Sequence, residues 1–346
     1  MEPIRIAVTG GGSIVGQGIM KSLRLSRLPT YVISTDIGPL NAALYRADEG
    51  LLLPPVERDG SLEVIIARLM EARVDVVMIG SEFDLEFFSE HKAVIEKETG
   101  CLVVASPPET VAIAGDKWRT AEFLRENGLP YAEAVPAHDL EEAVAWAGAR
   151  GVPLVLKPRK GTSARHVHVI RSEEELRFWH PTTPCPMLQA LAGPMSPQLG
   201  NEYSCSIFRC ADGTVLGPFV ARRNLRSGSS WIVEVVDIPE AAPLLFRLGE
   251  LLPSMGSLNV QMMITERGPV PFEFNARFSG TTPIRAHYGF NEPEMTLRSY
   301  HLGEKIEPPR IGRGVVLRYV EEVFLDNASA DALTEPLPRG VVHHWF

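Results

Sequence analysis

Apolar residues in the first hundred positions gather into short unbroken runs, spaced by stretches whose apolar positions recur every three to four residues. Ile4–Val8, Thr30–Ser34, Val74–Ile79 and Cys101–Ala105 are the runs; Ser13–Arg24, Ser61–Ala72 and Leu85–Lys97 are the periodic stretches. Unbroken runs suit strands covered on both faces, and periodic stretches suit amphipathic helices. Their alternation predicts a parallel sheet with helices on its faces, closing near Gly115.

The rhythm then changes. Asp116 is a suitable N-cap for a helix running to Asn127, which Gly128 stops. A strand at Tyr131–Val135, a helix at Leu140–Gly148 and a hairpin of Pro153–Lys157 with Val167–Ile170 make a small α+β unit. The proline-rich stretch from Pro181 to Gly200 reads as a connector. Beyond it the pattern is antiparallel: Tyr203–Arg209 and Val215–Ala221 flank the turn signal Asp212-Gly213, and Ser257–Ile264 and Val270–Arg277 flank Glu266–Gly268. Helices are expected at Glu240–Leu252 and Glu292–His301. Three pieces result, 1–115, 116–200 and 201–346.

At 346 residues, two to three domains of ~100–200 residues are expected. Lys and Arg number 34 against 43 Asp and Glu, a net charge of −9, which disfavours nucleic acid or an anionic membrane as partner. Cys101, Cys185, Cys205 and Cys210 include no CxxC pair, a usage that suits free thiols in a reducing compartment. The longest uncharged run, between Arg177 and Glu202, contains five prolines and would make a poor membrane helix. MEPIRIAVTGGG enters a strand pattern at once, without a leader-like basic segment, so a cytoplasmic location is expected.

Three groups of residues could carry chemistry. Gly10-Gly11-Gly12-Ser13 follows the first strand, with Gly16 and Gly18 beyond and Asp36 ending the second strand. A loop opening a helix favours an anion, and an acid about 20 residues on could hold a ribose, so a dinucleotide site is one reading. The other is a tight turn packing helix on strand, because Val15 stands where G-x-G-x-x-G requires Gly or Ala. The second group is Lys117, Lys157 and Pro158-Arg159-Lys160-Gly161-Thr162-Ser163, where fixed cations and loop amides suit a polyphosphate. Its bland alternative is a solvated hairpin tip.

The third group is the most informative. In Pro271-Phe272-Glu273-Phe274-Asn275-Ala276-Arg277 the two-residue period puts Glu273, Asn275 and Arg277 on one face. Asn259 and Gln261 share a face of the preceding strand. Paired, the strands would present hard oxygen donors with few carboxylates, a set suited to Mg²⁺ that takes its other ligands from phosphate and water. Arg277 would neutralise charge beside that metal. An amphipathic strand facing solvent is the alternative. Weaker candidates are Glu82, Asp84 and Glu86 after the third strand run, Arg222, Arg223 and Arg226 before Ser227-Gly228-Ser229-Ser230, and the pair His343-His344.

Taken in order, these residues resemble the ATP-grasp superfamily, particularly proteins similar to one half of the carbamoyl-phosphate synthetase large subunit. The likeness rests on Asp116-Lys117, Leu154-Val155-Leu156-Lys157-Pro158 and Met187-Leu188-Gln189 before Asn201-Glu202-Tyr203-Ser204. It continues through Asn259-Val260-Gln261 and Phe272-Glu273-Phe274-Asn275-Ala276-Arg277-Phe278-Ser279-Gly280.

The resemblance implies a mixed α/β and α+β architecture. A Rossmann-like N-terminal domain that helps bind substrate precedes a two-part ATP-grasp fold, a small lid plus an antiparallel-sheet C-terminal domain. It also implies ATP and Mg²⁺, or Mn²⁺ in its place. Lys117 and Lys157 would bind phosphates, residues 159–163 would close over them, Gln189, Ala190 and Leu191 would form the adenine hinge, and Glu202 would hold the ribose. Gln261, Glu273 and Asn275 would bind the metal, with Arg277 beside the transferred phosphoryl group. Arg285, Arg222 and Glu82 are expected substrate contacts.

The implied activity is ATP-dependent ligation of a carboxylate, through an acyl phosphate, to an amine or similar nucleophile. Its partners would be those small molecules, with a second copy of the chain as candidate protein partner. The competing readings are an NAD(P)-dependent oxidoreductase built on the Gly10–Gly12 loop and a nucleotide-binding protein without catalysis.

Overall fold

A computed structural model describes residues 2–161, 165–193 and 199–342. The first layer is a five-stranded parallel sheet in the order β3-β2-β1-β4-β5. Its elements run β1 (Ile4–Val8), α1 (Ile14–Arg24), β2 (Thr30–Asp36), β3 (Glu49–Leu52), α2 (Ser61–Glu71), β4 (Val76–Met78), α3 (Glu82–Glu90), α4 (Lys92–Thr99) and β5 (Leu102–Val104). Ile6, Ala7 and Val8 of the central strand are completely buried, which is why that segment reads as an unbroken apolar run.

Two expectations change here. The helix predicted over Leu85–Lys97 is two helices, because the chain turns at His91, whose amide and ring nitrogen both approach the Phe87 carbonyl oxygen. The edge strand β3 was not predicted; four residues containing Glu49 and Gly50 are too few to show a period.

Helices α5 (Pro108–Gly115) and α6 (Lys117–Glu126) join this layer to the next; Asp116 between them accepts from the Trp118 and Arg119 amides as the expected N-cap of α6. A four-stranded antiparallel sheet follows, ordered β6-β9-β7-β8. It comprises β6 (Ala134–Pro136), α7 (Leu140–Arg150), β7 (Leu154–Pro158), β8 (His168–Ile170), α8 (Glu173–Trp179) and β9 (Pro186–Ala190). The hairpin of β7 and β8 forms as expected. The connector does not: β9 lies inside Pro181–Gly200 and is an interior strand. Pro186 is tolerated because it is the first residue of that strand.

The third sheet is antiparallel with six strands, β14-β13-β10-β11-β12-β15. Its elements are β10 (Glu202–Arg209), β11 (Val215–Arg226), β12 (Ser229–Val235), α9 (Ala242–Leu251), β13 (Gly256–Thr265), β14 (Gly268–Asn275), α10 (Thr282–His287), α11 (Glu292–Thr296) and β15 (Gly314–Leu317). The segment around Arg222–Ser230 is the end of β11 and a tight turn into β12.

One face of this sheet packs Tyr203, Cys205, Val260, Met262 and Phe274 against Leu244, Leu245 and Leu248 of α9. The alternate positions, Glu202, Ser204, Ser206, Arg223, Asn259 and Gln261, make the opposite face polar. The parallel layer docks beside that face. A Cβ on Gly18 of α1 would stand 3.0 Å from Pro283 of α10, and the Ser106 hydroxyl donates to the Ala276 carbonyl at 3.1 Å.

Candidate active site

The polar face at its β14 end holds a continuous chain of paired side chains. Glu202 accepts from Arg223 at 2.6 Å; Arg223 also donates to Gln261 Oε1 at 2.7 Å; Gln261 Nε2 donates to Glu273 at 3.0 Å. Asn275 lies 3.4 Å from Glu273 and accepts from Arg277 at 3.0 Å, and Arg277 in turn is ion-paired with Glu82. Strand parity creates most of this, since Gln261 faces Glu273 and Asn259 faces Asn275 in the β13–β14 register. The expected grouping of Gln261, Glu273, Asn275 and Arg277 is therefore found, and Glu82 joins it through Arg277.

The lid supplies ammonium groups. Lys157, on β7, is 5% exposed and donates to Gln189 Oε1 on β9 at 2.7 Å. Desolvation pulls its pKa down to about 8; the Lys117 charge adds to the fall, while Glu273 and Glu202 oppose it. The Glu273, Lys117 and Glu202 charges are thus close enough to act on the Lys157 ammonium.

A register shift between Gln261 and Met262 leaves Phe272 opposite no residue of β13, and Lys157 Nζ sits 5.7 Å from its ring centroid. Alternation along β14 alone does not show that contact.

Lys117 donates to the Gly161 carbonyl at 2.8 Å, so it already touches the loop expected to cover phosphates. Arg159 is bound to the Asp116 carboxylate at 2.6 Å rather than free for a ligand. Burial would raise the Asp116 carboxyl, but Arg159 and the Arg119 and Trp118 amides more than offset it and hold it below the usual range. Lys160 is exposed and stands 3.7 Å from Glu86 of α3. The Ala190 amide donates to the Glu133 carbonyl at 2.7 Å, and Leu191 follows at the end of β9. Thr162, Ser163, His343 and His344 lie outside the described residues.

Two expected substrate contacts are corrected. Arg285 is completely buried in a salt bridge to Glu292 at 3.1 Å, with Ser204 Oγ at 3.2 Å and Asn259 as further partners. Arg222 stands in register with Tyr203 on the opposite sheet face and is paired with Glu234 at 2.6 Å. Its neighbour Arg223 is the one that reaches the site, a difference of a single residue in strand parity.

The glycine loop is a packing turn. The Gly11 amide donates to Thr35 O, Gly12 to Asp36 Oδ2 and Ser13 to Gly10 O, leaving these donors committed to the protein. Asp36 is engaged by Gly12, Asn41 and the Ile37 amide. A Cβ on Gly16 would come within 2.5 Å of the Gly10 carbonyl, so helix and loop touch directly. The dinucleotide reading is thereby not supported.

Beside this loop is an open cleft of about 290 Å³, lined by Thr9, Asp36, Glu57, Ser81, Phe83 and Asp84 among others. It lies at the carboxyl ends of the parallel strands. Ser81 is adjacent to Glu82, which ties the cleft to Arg277. Desolvation raises the Asp84 pKa to about 6 against a Thr9 hydrogen bond, with Asp36 and Glu57 reinforcing the rise.

Gln261, Glu273 and Asn275 offer an all-oxygen donor set with a single carboxylate, the chemistry of a hard divalent cation completed by phosphate. Among the described residues no group of three or more His, Cys, Asp or Glu could hold a metal by itself. Among the same residues no helix is long and apolar enough to cross a membrane.

Comparison with known proteins matches the parallel layer and the six-stranded sheet. A family model described as ATP-grasp in the biosynthetic pathway with Ter operon matches residues 195–323, and one for the PylC-like N-terminal domain matches residues 6–104. The chain is 24% identical over 322 residues to phosphoribosylamine–glycine ligase of Pyrococcus abyssi, covering 81% of this chain and 68% of that protein.

Among solved structures, N5-carboxyaminoimidazole synthetase from Staphylococcus aureus complexed with ADP superposes with a TM-score of 0.72 at 13% identity, covering 92% and 83% of the two chains. The biotin carboxylase domain of Hydrogenobacter thermophilus 2-oxoglutarate carboxylase, with MgADP and bicarbonate, gives 0.70 at 18% identity, covering 91% and 74%. These structures share the fold of this chain. Residues 195–323 thus match an ATP-grasp family model, and the chain is similar to ATP-grasp proteins.

Proposed function

We propose that the protein is an ATP-dependent, ADP-forming ligase that joins a carboxylate to an amine or similar nucleophile. The convergence of Lys117 and Lys157 from the lid with Gln261, Glu273, Asn275 and Arg277 from the large sheet carries this reading. Two ammonium groups, one guanidinium and an oxygen-donor set around one space suit a triphosphate and its metal. Residues 1–115 would present the substrates, 116–200 would form the lid and 201–346 the metal-bearing half.

In this reading Lys117, Lys157, Lys160 and Gly161 hold phosphates, Gln189, Ala190 and Leu191 border the adenine, and Glu202 takes the ribose. Gln261, Glu273 and Asn275 hold Mg²⁺, which when bound supplies a positive charge that screens the polyphosphate. A substrate carboxylate oxygen attacks the γ-phosphorus, the bond to the β-phosphate oxygen breaks and ADP departs. The amine lone pair then attacks the acyl carbon; phosphate leaves and the nitrogen loses a proton. Arg277 lies where it can offset charge on the transferred group, and Glu82 holds its guanidinium in place. Closure of the lid excludes water from the acyl phosphate. The cleft beside Asp84 adjoins Arg277 through Glu82 and is the proposed substrate entrance.

The experiment is a screen of carboxylate and amine pools with Mg-ATP, following ADP and phosphate release. Turnover that requires both an acid and an amine supports the ligase; nucleotide binding with no turnover on any pair leaves only a binding protein and defeats the proposal.

A further inference from the structure

Arg223 occupies the centre of the proposed nucleotide site without a place in the reaction. It rises from β11 on the polar sheet face and reaches across β10 to β13. Nη2 is 2.6 Å from Glu202 Oε1 and 2.7 Å from Gln261 Oε1, Nε is 3.0 Å from Glu202 Oε1, and Nη1 is 3.4 Å from Ser230 Oγ. Its side chain is only 10% exposed.

Both main partners have other work when nucleotide arrives. Gln261 Oε1 is the oxygen that would turn to the metal, and Glu202 is the carboxylate that would take the ribose. Leaving a donor of a guanidinium this buried without an acceptor is costly, since the desolvation penalty then goes uncompensated. The acceptors that enter in the same event are phosphate oxygens, which a planar guanidinium fork fits well. Charge points the same way. Glu82, Glu202 and Glu273 bring three negative charges, while Lys117, Lys157, Arg223 and Arg277 bring four positive ones. Arg223 supplies the excess that an incoming polyphosphate needs.

We propose that Arg223 exchanges Gln261 for a phosphate oxygen of the bound nucleotide, so that it pins the metal-binding amide in the empty site and grips the polyphosphate in the filled one. This rests on the ATP-site reading above. Arg223 is then a specificity residue for nucleoside di- and triphosphates over the monophosphate and the nucleoside, because the oxygen it would take belongs to the phosphates beyond the first.

The test is competition against a fluorescent ADP analogue by the wild-type protein and by Arg223→Met and Arg223→Lys, with the magnesium complexes of ADP and of the β,γ-imido analogue of ATP, and with AMP and adenosine. Arg223→Met is expected to weaken ADP and the ATP analogue at least tenfold, and AMP and adenosine less than twofold. Arg223→Lys, which keeps the charge and loses the fork, should fall between, and it substitutes as the test if the methionine variant does not fold by circular dichroism. Equal weakening of all four ligands would show that Arg223 merely props Glu202 against the ribose and would overturn the proposal, as would no weakening of any. Failure of the wild-type protein itself to bind any adenine nucleotide would instead sink the ATP-site reading and this proposal with it.

Discussion

Arg285 and Glu292 form a pair from which all solvent has been removed, and the structure sets what separating them should do. Both side chains are 0% exposed, with two guanidinium–carboxylate distances of 3.1 and 3.2 Å. Removing one member of such a pair costs ~3–5 kcal/mol, because the other remains as a buried charge. Arg285→Met should sit near ~3 kcal/mol, the lower end of that range, since Glu292 keeps hydroxyl donors from Ser206 at 2.5 Å, Ser257 at 2.6 Å and Thr282 at 3.3 Å.

For a cooperative unit of ~150–250 residues a loss of ~3 kcal/mol lowers Tm by about 6–12 °C. The double variant Arg285→Met with Glu292→Gln removes both charges and should recover about half of that loss, so the two changes are far from additive. Calorimetric melting of the parent, both single variants and the double variant measures this directly. A methionine variant that melts within ~2 °C of the parent but shows a raised KM for the acid substrate would refute the structural assignment and return Arg285 to the list of substrate contacts.

Glu273→Gln should cut metal-dependent ATP turnover by about 100-fold or more while leaving the melting curve in place, because it removes the one carboxylate of the donor set; a turnover assay across a magnesium titration reads it. Lys157→Met should weaken nucleotide binding about ten- to a hundredfold, the worth of one charge-assisted bond of ~1.5–3 kcal/mol, as measured by calorimetric titration. Asp116→Ala should destabilise by ~1 kcal/mol through the lost N-cap and lower KM for ATP by freeing Arg159, whereas Asp116→Asn should keep the cap while still releasing Arg159; chemical denaturation and kinetics separate the two effects.

Asp84 binds its proton more tightly folded than unfolded, with a pKa moved from 3.8 to about 6. Stability should therefore rise as pH falls from about 6 towards 4, by at most ~3 kcal/mol at ~1.4 per pH unit. Asp84→Asn should stabilise the protein at pH 8 and flatten its Tm–pH profile in that window, and an unchanged profile would contradict the assignment.

What the chain made legible follows from how local each signal is. The apolar run of β1 and the N-cap at Asp116 are set by a few neighbouring residues, and each appears where the pattern predicts it. The strand β9 was hidden because proline density outweighed the apolar run Pro186–Ala190. The glycine loop misleads for the opposite reason. Its composition suits phosphate binding or close packing, and only the destinations of the Gly11, Gly12 and Ser13 amides decide between them.

The site itself shows where parity succeeds and where it stops. Alternation along β13 and β14 assigns Gln261, Glu273 and Asn275 to one face without help from the rest of the chain. It says nothing of what covers that face. The same row of polar positions runs on through Ser204, Ser206, Ser257 and Asn259, and there α10 and α11 close it with Arg285 and Glu292 into a sealed network. One polar surface is thus divided between a core that excludes water and a stretch that Lys157 of β7 approaches. Residue type alone assigns an arginine at 285 and one at 223 equally well to either half. The division is made by covering side chains that stand 26 to 86 residues along the chain from the polar groups they seal, and by the single-residue parity that sends Arg222 to Glu234 and Arg223 to Glu202. A polar sheet face therefore predicts that chemistry is available, while the packing of the helices above it decides which part is a site.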